Sequence, residues 1–498
     1  MNKNEQSYDV IVVGAGNAAL TAALAAKEHS VNVAVLEKAP FELRGGNTRF
    51  SGGLMRFAYS GEKDVMELMP NLTSEELSKL DMGTYSVEDF YNSVMRVTYG
   101  EADPELTRIC AEQSLDTMKW MSEYGIEWDF TTLFSISDGE RTRFTPGSLL
   151  QAKGRGVGLS ENLFKAVQAN EIPVLYDTKF LTLLLDQNGR VCGAKIQDKN
   201  GIRDMKAKAV ILASGGFEAN SEMRAKYLGG VWDRVKVRGS KYDTGEGLQA
   251  ALDIGAKPVG HWSGCHATPI DSDAPSVGEL NHTDETNRLS YLYGVMVNIY
   301  GKRFIDEGED YGQYTYAKTG AAILNQPMSR GYQIFDQKTI ELLEKRYKTG
   351  NPVIAETIEE LAVKIEVPPE SLKKTIEQFN NSINNNKFDP AIMDGKGTSD
   401  IEPPKSNWAL PIDTPPYISY GVTCGITFTF GGLGVNAEAQ VLNTEDEPIK
   451  GLYATGEITG KFFYHNYAAG NGLMRGAVFG RLAGIAAANE INNLRSGK

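Results

Sequence analysis

The 498-residue chain carries 51 Lys and Arg against 64 Asp and Glu, a formal net charge of −13, with 41% hydrophobic and 23% charged residues. That length exceeds one compact core, so two or three domains are expected. So acidic a surface repels phosphate backbones and anionic lipid, which argues against nucleic-acid and membrane-surface binding.

The run from Tyr8 to Val13 is short, apolar and β-branched, the pattern of a buried parallel strand. Gly14-Ala-Gly16 turns the chain, and Asn17 to His29 is alanine-rich with helical spacing. Val31 to Leu36 reads as a second buried strand ending at Glu37, which completes a βαβ unit. Residues from about 60 to 150 are polar and helical without a site signature. Gly154 to Ala169 predicts a helix, Val174 to Leu185 and Val191 to Ile196 strands around an Asn188-Gly189 turn, and Ala209 to Ala213 a buried strand running into Ser214-Gly-Gly216. Between about 260 and 420 the character changes to many tyrosines, three of the five histidines and few strong strand runs. There, Thr357 to Asn380 predicts two helices broken at Pro368-Pro369, the first opened by a Thr-x-x-Glu capping box, with Asn380 to Asn386 a solvated loop. Gly451 to Glu457 repeats the strand-then-glycine theme, and Gly472 to Asn489 predicts an Ala/Gly-rich closing helix. The order predicts an α/β fold: a Rossmann-like nucleotide-binding domain built from residues 1–260 and 421–498, with an α+β capping domain, residues 261–420, inserted between.

The dinucleotide expectation rests on Gly14-x-Gly16-x-x-Ala19, where the glycines permit a tight turn and close backbone approach to a pyrophosphate, and the small third residue lets helix pack on strand. Amides of Asn17 and Ala18 at the helix start face the phosphates, and Glu37, followed by Lys38, ends the second strand where a carboxylate meets ribose hydroxyls. Arg44-Gly45-Gly46-Asn47-Thr48, with Gly52 and Gly53 beyond it, adds flexible backbone beside the same phosphates. Further strand-to-glycine junctions at Ala213-Ser214-Gly215 and Ala454-Thr-Gly456-Glu457 suit a longer, extended cofactor, so FAD is expected rather than NAD. Gly472 and Leu473 begin the last helix, whose amides are expected to point at the flavin's pyrimidine edge.

These residues resemble the fumarate reductase/succinate dehydrogenase flavoprotein superfamily, in which the stretches matching Gly45 to Thr48 and Ala454 to Glu457 line FAD. Within it, Gly264-Cys-His-Ala267, Thr286 to Tyr291, Asp306 to Asp310, Tyr314-Thr-Tyr-Ala-Lys318 and Phe463-Tyr-His-Asn-Tyr467 most resemble the tricarballylate dehydrogenases. The resemblance implies a substrate held between the flavin domain and a cap, hydride exchange with flavin N5, and proton movement at the adjacent carbon. It also implies that His266 and Arg288 bind substrate carboxylates. The sequence departs from the fumarate reductase pattern where that family has an arginine proton donor (here Asp310 to Tyr314), a late histidine (here Phe428) and a late arginine (here the Tyr464-His-Asn-Tyr467 cluster). A tyrosine-based relay is expected instead, with Tyr467, Tyr314 and His465 as the pool containing the acid/base, and it also resembles the 3-ketosteroid dehydrogenases. Arg303, in a turn common to the superfamily, is read as structural. Arg49-Phe-Ser51 stands where succinate dehydrogenases carry a flavin-linking histidine, so FAD is expected to be non-covalent.

The expected function is dehydrogenation of a small polycarboxylate of the tricarballylate type. The alternatives are enoate reduction, dehydrogenation of a ketone such as a steroid, a flavin monooxygenase, or flavin binding without turnover. Cys110, Cys192, Cys265 and Cys424 show no metal or haem spacing, so no metal is expected and electrons must leave to a separate acceptor, an iron–sulfur membrane protein or oxygen. No apolar run reaches the roughly 18 residues of a membrane span, and the polar start shows no leader pattern; a cytoplasmic protein is expected.

Overall fold

The computed structural model describes residues 7–137 and 140–496. Its first part contributes β1 (Tyr8–Val13), α1 (Asn17–Glu28), β2 (Val33–Leu36), α2 (Pro104–Glu123), α3 (Arg155–Ala169), β3 (Val174–Leu175), β4 (Lys179–Leu185), β5 (Val191–Asp198) and β6 (Gly201–Leu212). The middle contributes β7 (Lys236–Val237), α4 (Glu246–Asp253), β8 (Cys265–Asp271), β9 (Val295–Asn298), α5 (Gly312–Leu324), β10 (Gly331–Phe335), β11 (Val353–Ala355), α6 (Ile358–Lys364), α7 (Pro369–Ser382) and β12 (Tyr417–Thr429). The last part holds β13 (Gln440–Leu442), β14 (Pro448–Ala454) and α8 (Asn471–Ser496).

Every residue of β1 is buried, because β1 lies between β6 and β2, parallel to both, at the centre of an eight-stranded sheet. β6 does two jobs along its length: residues up to Lys206 form an antiparallel ladder with β5, and Ala207 onward runs parallel to β1 and then β14. The two ends of the chain thus meet in one sheet. α1 and α8 pack against each other so closely that a Cβ on Gly484 would lie 2.3 Å from the Ala22 carbonyl oxygen, and one on Gly480 would lie 2.6 Å from that of Ala18. The Ala/Gly composition of both helices is the condition for that approach, and it holds the start of α8 over the glycine turn after β1.

A second, six-stranded sheet is organised around the thirteen-residue β12, which pairs with β7, β8, β10 and β11, while β9 pairs with β10. The sequence reading underestimated strand content here, because β12 alternates Ile, Tyr, Val and Cys with Ser, Gly and Thr, a period-two pattern diluted by glycine. This sheet takes in Lys236–Val237 and extends to Thr429, so boundaries at 260 and 420 cut across it. α6 and α7 part at the proline pair as expected; the Thr357 hydroxyl accepts the Glu360 amide at 3.1 Å, and α7 opens on Pro369. Asn380 is not merely solvated, since its side-chain amide brackets Ile412 through both backbone groups, at 2.8 and 3.0 Å. No helix among the described residues is long and apolar enough to cross a membrane.

Candidate active site

One elongated cavity runs from the end of β2, under the starts of α1 and α8, to the inner face of the second sheet. Gly14 closes β1 with its amide on Leu36 O at 2.8 Å and φ of +103°; a Cβ there would lie 2.3 Å from Ala213 O, so only glycine fits. Gly16 precedes α1 with no side-chain cap. The Asn17 amide donates to Thr48 Oγ1 at 2.9 Å, its Nδ2 to Leu473 O at 2.8 Å, and its buried Oδ1 has no partner among the described residues. An uncapped helix start under a wall of Gly46, Gly52, Gly53, Gly215 and Gly456 fits a dinucleotide pyrophosphate laid against backbone.

Glu37 is buried at the adenosine-side end expected from the motif, with Oε1 accepting from Ala39 N at 2.8 Å. Burial pushes its carboxyl up to about 7, against the opposing pull of the Ala39, Gly45 and Lys38 amides. A buried carboxyl of this kind fits ribose hydroxyls. Lys38 lines the cavity but is engaged by Glu246 at 2.7 Å and Thr244 at 2.5 Å. Beside Ser214 and Gly215, the carboxylates of Glu218, Asp243 and Glu457 come within 4.8 Å of one another. Burial, and then repulsion from neighbouring carboxylates, pushes Glu218 and Asp243 well above the usual carboxylate range, while burial alone raises Glu457.

Of the expected cofactor residues, Gly14, Gly16, Asn17, Ala18, Glu37, Lys38, Gly46, Asn47, Thr48, Gly52, Gly53, Ala213, Ser214, Gly215, Gly456, Glu457, Gly472 and Leu473 all line this cavity. Arg44 and Gly45 do not. Arg44 turns outward to Glu161 at 2.9 Å, its guanidinium 3.7 Å from the Phe41 ring centroid and 4.5 Å from that of Phe164. The Gly472 amide, expected to face the flavin, instead donates to Tyr467 Oη at 2.9 Å.

At the far end, His266 on β8 is 2% exposed, in an aromatic box of Phe428, Tyr316 and Tyr467 at centroid distances of 4.9, 4.9 and 5.0 Å. Burial and the nearby Arg238 hold its pKa well below the usual value, so the imidazole is neutral. Tyr467 and Tyr316 line the cavity, and burial raises both phenols.

Three expected catalytic or substrate residues are placed elsewhere. The Arg288 side chain is 1% exposed and bound to Asp271 at 2.8 and 3.2 Å, with further bonds to the carbonyls of Glu285, Asn287 and Arg346. It is absent from the cavity wall. Tyr314 points at Arg56, Nη1 to Oη 3.5 Å, because on α5 it lies about 200° around the helix from Tyr316. His465 is exposed, with φ of +59°, and meets His261 rather than the cavity. Arg303, as expected, is held within its turn by Glu307, at 2.5 Å.

The sequence reading missed Tyr316, Arg238 and Arg346. Arg238 follows β7; its Nε donates to Thr427 Oγ1 at 3.0 Å and Nη1 to Phe50 O at 2.8 Å, and it makes no ion pair among the described residues. Arg346 is held by Glu344 and by Asp284 at 3.3 Å. A signal existed for Tyr316, since Tyr314-Thr-Tyr316 on a helix puts only one tyrosine on the sheet side; none existed for the arginines.

A family model described as an FAD binding domain matches residues 9–473. The chain is 30% identical over 496 residues to a probable fumarate reductase of Shewanella frigidimarina (strain NCIMB 400), covering 97% of this chain and 75% of that protein. It is 28% identical to an NADH:acrylate oxidoreductase of Vibrio harveyi, covering 98% of this chain but only 51% of that protein. The open conformation of a flavocytochrome c3 fumarate reductase superposes with a TM-score of 0.73 at 29% identity, covering 98% of this chain and 79% of that one. These are fumarate and acrylate enzymes; none is named for tricarballylate.

Proposed function

The chain belongs to the FAD binding domain family, in the fumarate reductase/succinate dehydrogenase flavoprotein superfamily, and on that premise we propose that this FAD-dependent oxidoreductase of carbon–carbon bonds reduces a double bond conjugated to a carboxylate. The observation that carries the reading is a single cavity holding both the glycine-lined dinucleotide wall and a cluster of Tyr467, Tyr316, neutral His266 and an arginine without an ion pair. Bound non-covalently along that wall, FAD supplies hydride at N5.

Arg238 anchors the carboxylate and stabilises the charge that grows on it as hydride reaches the β-carbon. Tyr467 gives the proton to the α-carbon. Its Oη accepts the Gly472 amide, which leaves the O–H free to point into the cavity and eases loss of that proton. Burial raises the phenol, and among the described residues no carboxylate or charged histidine stands beside it to act as a base, so Tyr467 is poised as a donor. That asymmetry favours reduction over dehydrogenation, and electrons then come from a separate donor. Dehydrogenation of a tricarballylate-like polycarboxylate is the second reading, favoured by Arg346 on the same wall, with a separate iron–sulfur protein or oxygen accepting electrons.

Rapid mixing of dithionite-reduced holoenzyme with α,β-unsaturated carboxylates tests the reading through return of the yellow absorbance. Tyr467→Phe is expected to keep FAD and slow that return roughly 10²–10⁴-fold. Wild-type enzyme that no enoate reoxidises removes the reading, and an undiminished Tyr467→Phe removes the proton donor.

A further inference from the structure

We propose that the substrate is a monocarboxylate, with its one carboxylate on Arg238 and an apolar aryl or alicyclic remainder seated among Phe428, Tyr316, Tyr467, Phe134 and Leu289. This deepens the reading above and rests on it for the reaction, though not for binding.

The positive charges along the cavity are unequally answered. Lys38, Arg238, Arg346 and Arg475 line it. Lys38 is paired with Glu246 at the end remote from the aromatic box. Arg475 rises from α8 beside Glu457, donates to Thr459 O, and lies over the Phe462 and Phe463 rings. Arg346 and its neighbour Arg155 are shared among three carboxylates, Asp284, Glu285 and Glu344. Arg238 stands at the aromatic box hydrogen-bonded only to neutral groups, the Thr427 hydroxyl and the Phe50 carbonyl, and Asp284 acts on it only through space, without an ion pair among the described residues. His266, neutral, adds no charge. The box therefore offers one guanidinium that no carboxylate contacts directly among the described residues. A second carboxylate would face the acid-rich Asp284 group or the aromatic rings, uncompensated in either case. The rings themselves are what an unsaturated or cyclic carbon frame packs against.

The probes are cinnamate (one carboxylate, aryl), its neutral amide cinnamamide, fumarate (two) and cis-aconitate (three), titrated into oxidised holoenzyme by calorimetry and by perturbation of the flavin absorbance. Cinnamate is expected to bind roughly tenfold or more tighter than fumarate, cis-aconitate or cinnamamide. Arg238→Gln should weaken cinnamate about 100-fold and leave cinnamamide unchanged, with Arg238→Lys between them. Tighter binding of fumarate or cis-aconitate, or equal binding of cinnamate and its amide, overturns the proposal. Should Arg238→Gln fail to hold FAD, the wild-type acid-to-amide ratio and Arg238→Lys decide. Cinnamate that ranks first yet never reoxidises reduced enzyme would remove the proposed reaction while leaving the monocarboxylate site standing.

Discussion

Replacing Arg288 with methionine separates a structural arginine from a substrate-binding one. The guanidinium is 1% exposed and makes two contacts with Asp271 Oδ2 plus three bonds to backbone carbonyls. Removing it leaves the Asp271 carboxylate, in a residue only 9% exposed, with the Asp273 amide as its one remaining hydrogen bond among the described residues. Breaking a buried pair from one side costs about 3–5 kcal/mol, a large part of the roughly 5–15 kcal/mol that keeps a domain folded. Urea unfolding followed by tryptophan fluorescence should show that loss, and the double replacement Arg288→Met with Asp271→Leu should recover part of it, because no orphaned charge remains. Cinnamate affinity of the surviving folded fraction, measured cold with FAD bound, should match wild type. An Arg288→Met protein within about 1 kcal/mol of wild type that nonetheless fails to bind carboxylates would refute the reasoning and return Arg288 to the site.

Glu37 gives the apoprotein a pH dependence whose sign follows from its raised pKa. The folded value of about 7 lies above the ordinary value of 4.5, so its stabilising protonation is complete below pH 4.5 and is lost as pH rises through 7. The loss amounts to about 3 kcal/mol. The urea midpoint of Glu37→Gln apoprotein should therefore fall less than that of wild type from about pH 5 to 8 and exceed wild type at the upper end, whereas a wild-type midpoint climbing relative to the variant counts against a buried protonated carboxyl. Gly484→Ala puts a Cβ 2.3 Å from Ala22 O and should cost about 1–3 kcal/mol, read as earlier thermal release of FAD. His465→Ala, at an exposed position, should leave turnover and its pH profile unchanged; a lost limb in that profile would restore His465 to the proton relay.

What the sequence carried well was everything decided within a few residues. Gly14 and Gly16, the β1–α1–β2 unit, Glu37 at the strand end and the Pro368-Pro369 break each follow from local backbone chemistry, and the structure puts them where that chemistry requires. β12 was harder to see, because glycines at Gly421 and Gly425 interrupt an otherwise regular alternation and the strand finds its partners far away in sequence. Tyr314 and Tyr316 show a finer limit: helical geometry says that only one can face the sheet, but which one depends on how α5 is rotated, and that is set by packing on β8 and β12.

Arg288 and Arg238 mark the point where sequence reasoning stops for a physical reason. Both are buried arginines on the second sheet's side of the molecule, and Arg288 sits in the string that resembles known enzymes. An arginine binds a ligand only if the fold leaves its charge unanswered, and the answer comes from residues remote in sequence: Asp271 and the carbonyl of Arg346 for Arg288, Thr427 and Phe50 for Arg238. A carboxylate partner switches the first off as a site, and a hydroxyl with a carbonyl leaves the second open. The same rule gives the decisive comparison: exchanging the character of the partners, with Asp271→Asn freeing Arg288 and Thr427→Asp neutralising Arg238, should leave the first variant's carboxylate affinity unchanged, because Arg288 lies off the cavity wall, and should abolish the second's. Retained cinnamate binding by a folded, FAD-bound Thr427→Asp protein would mean that uncompensated charge is not what selects the substrate.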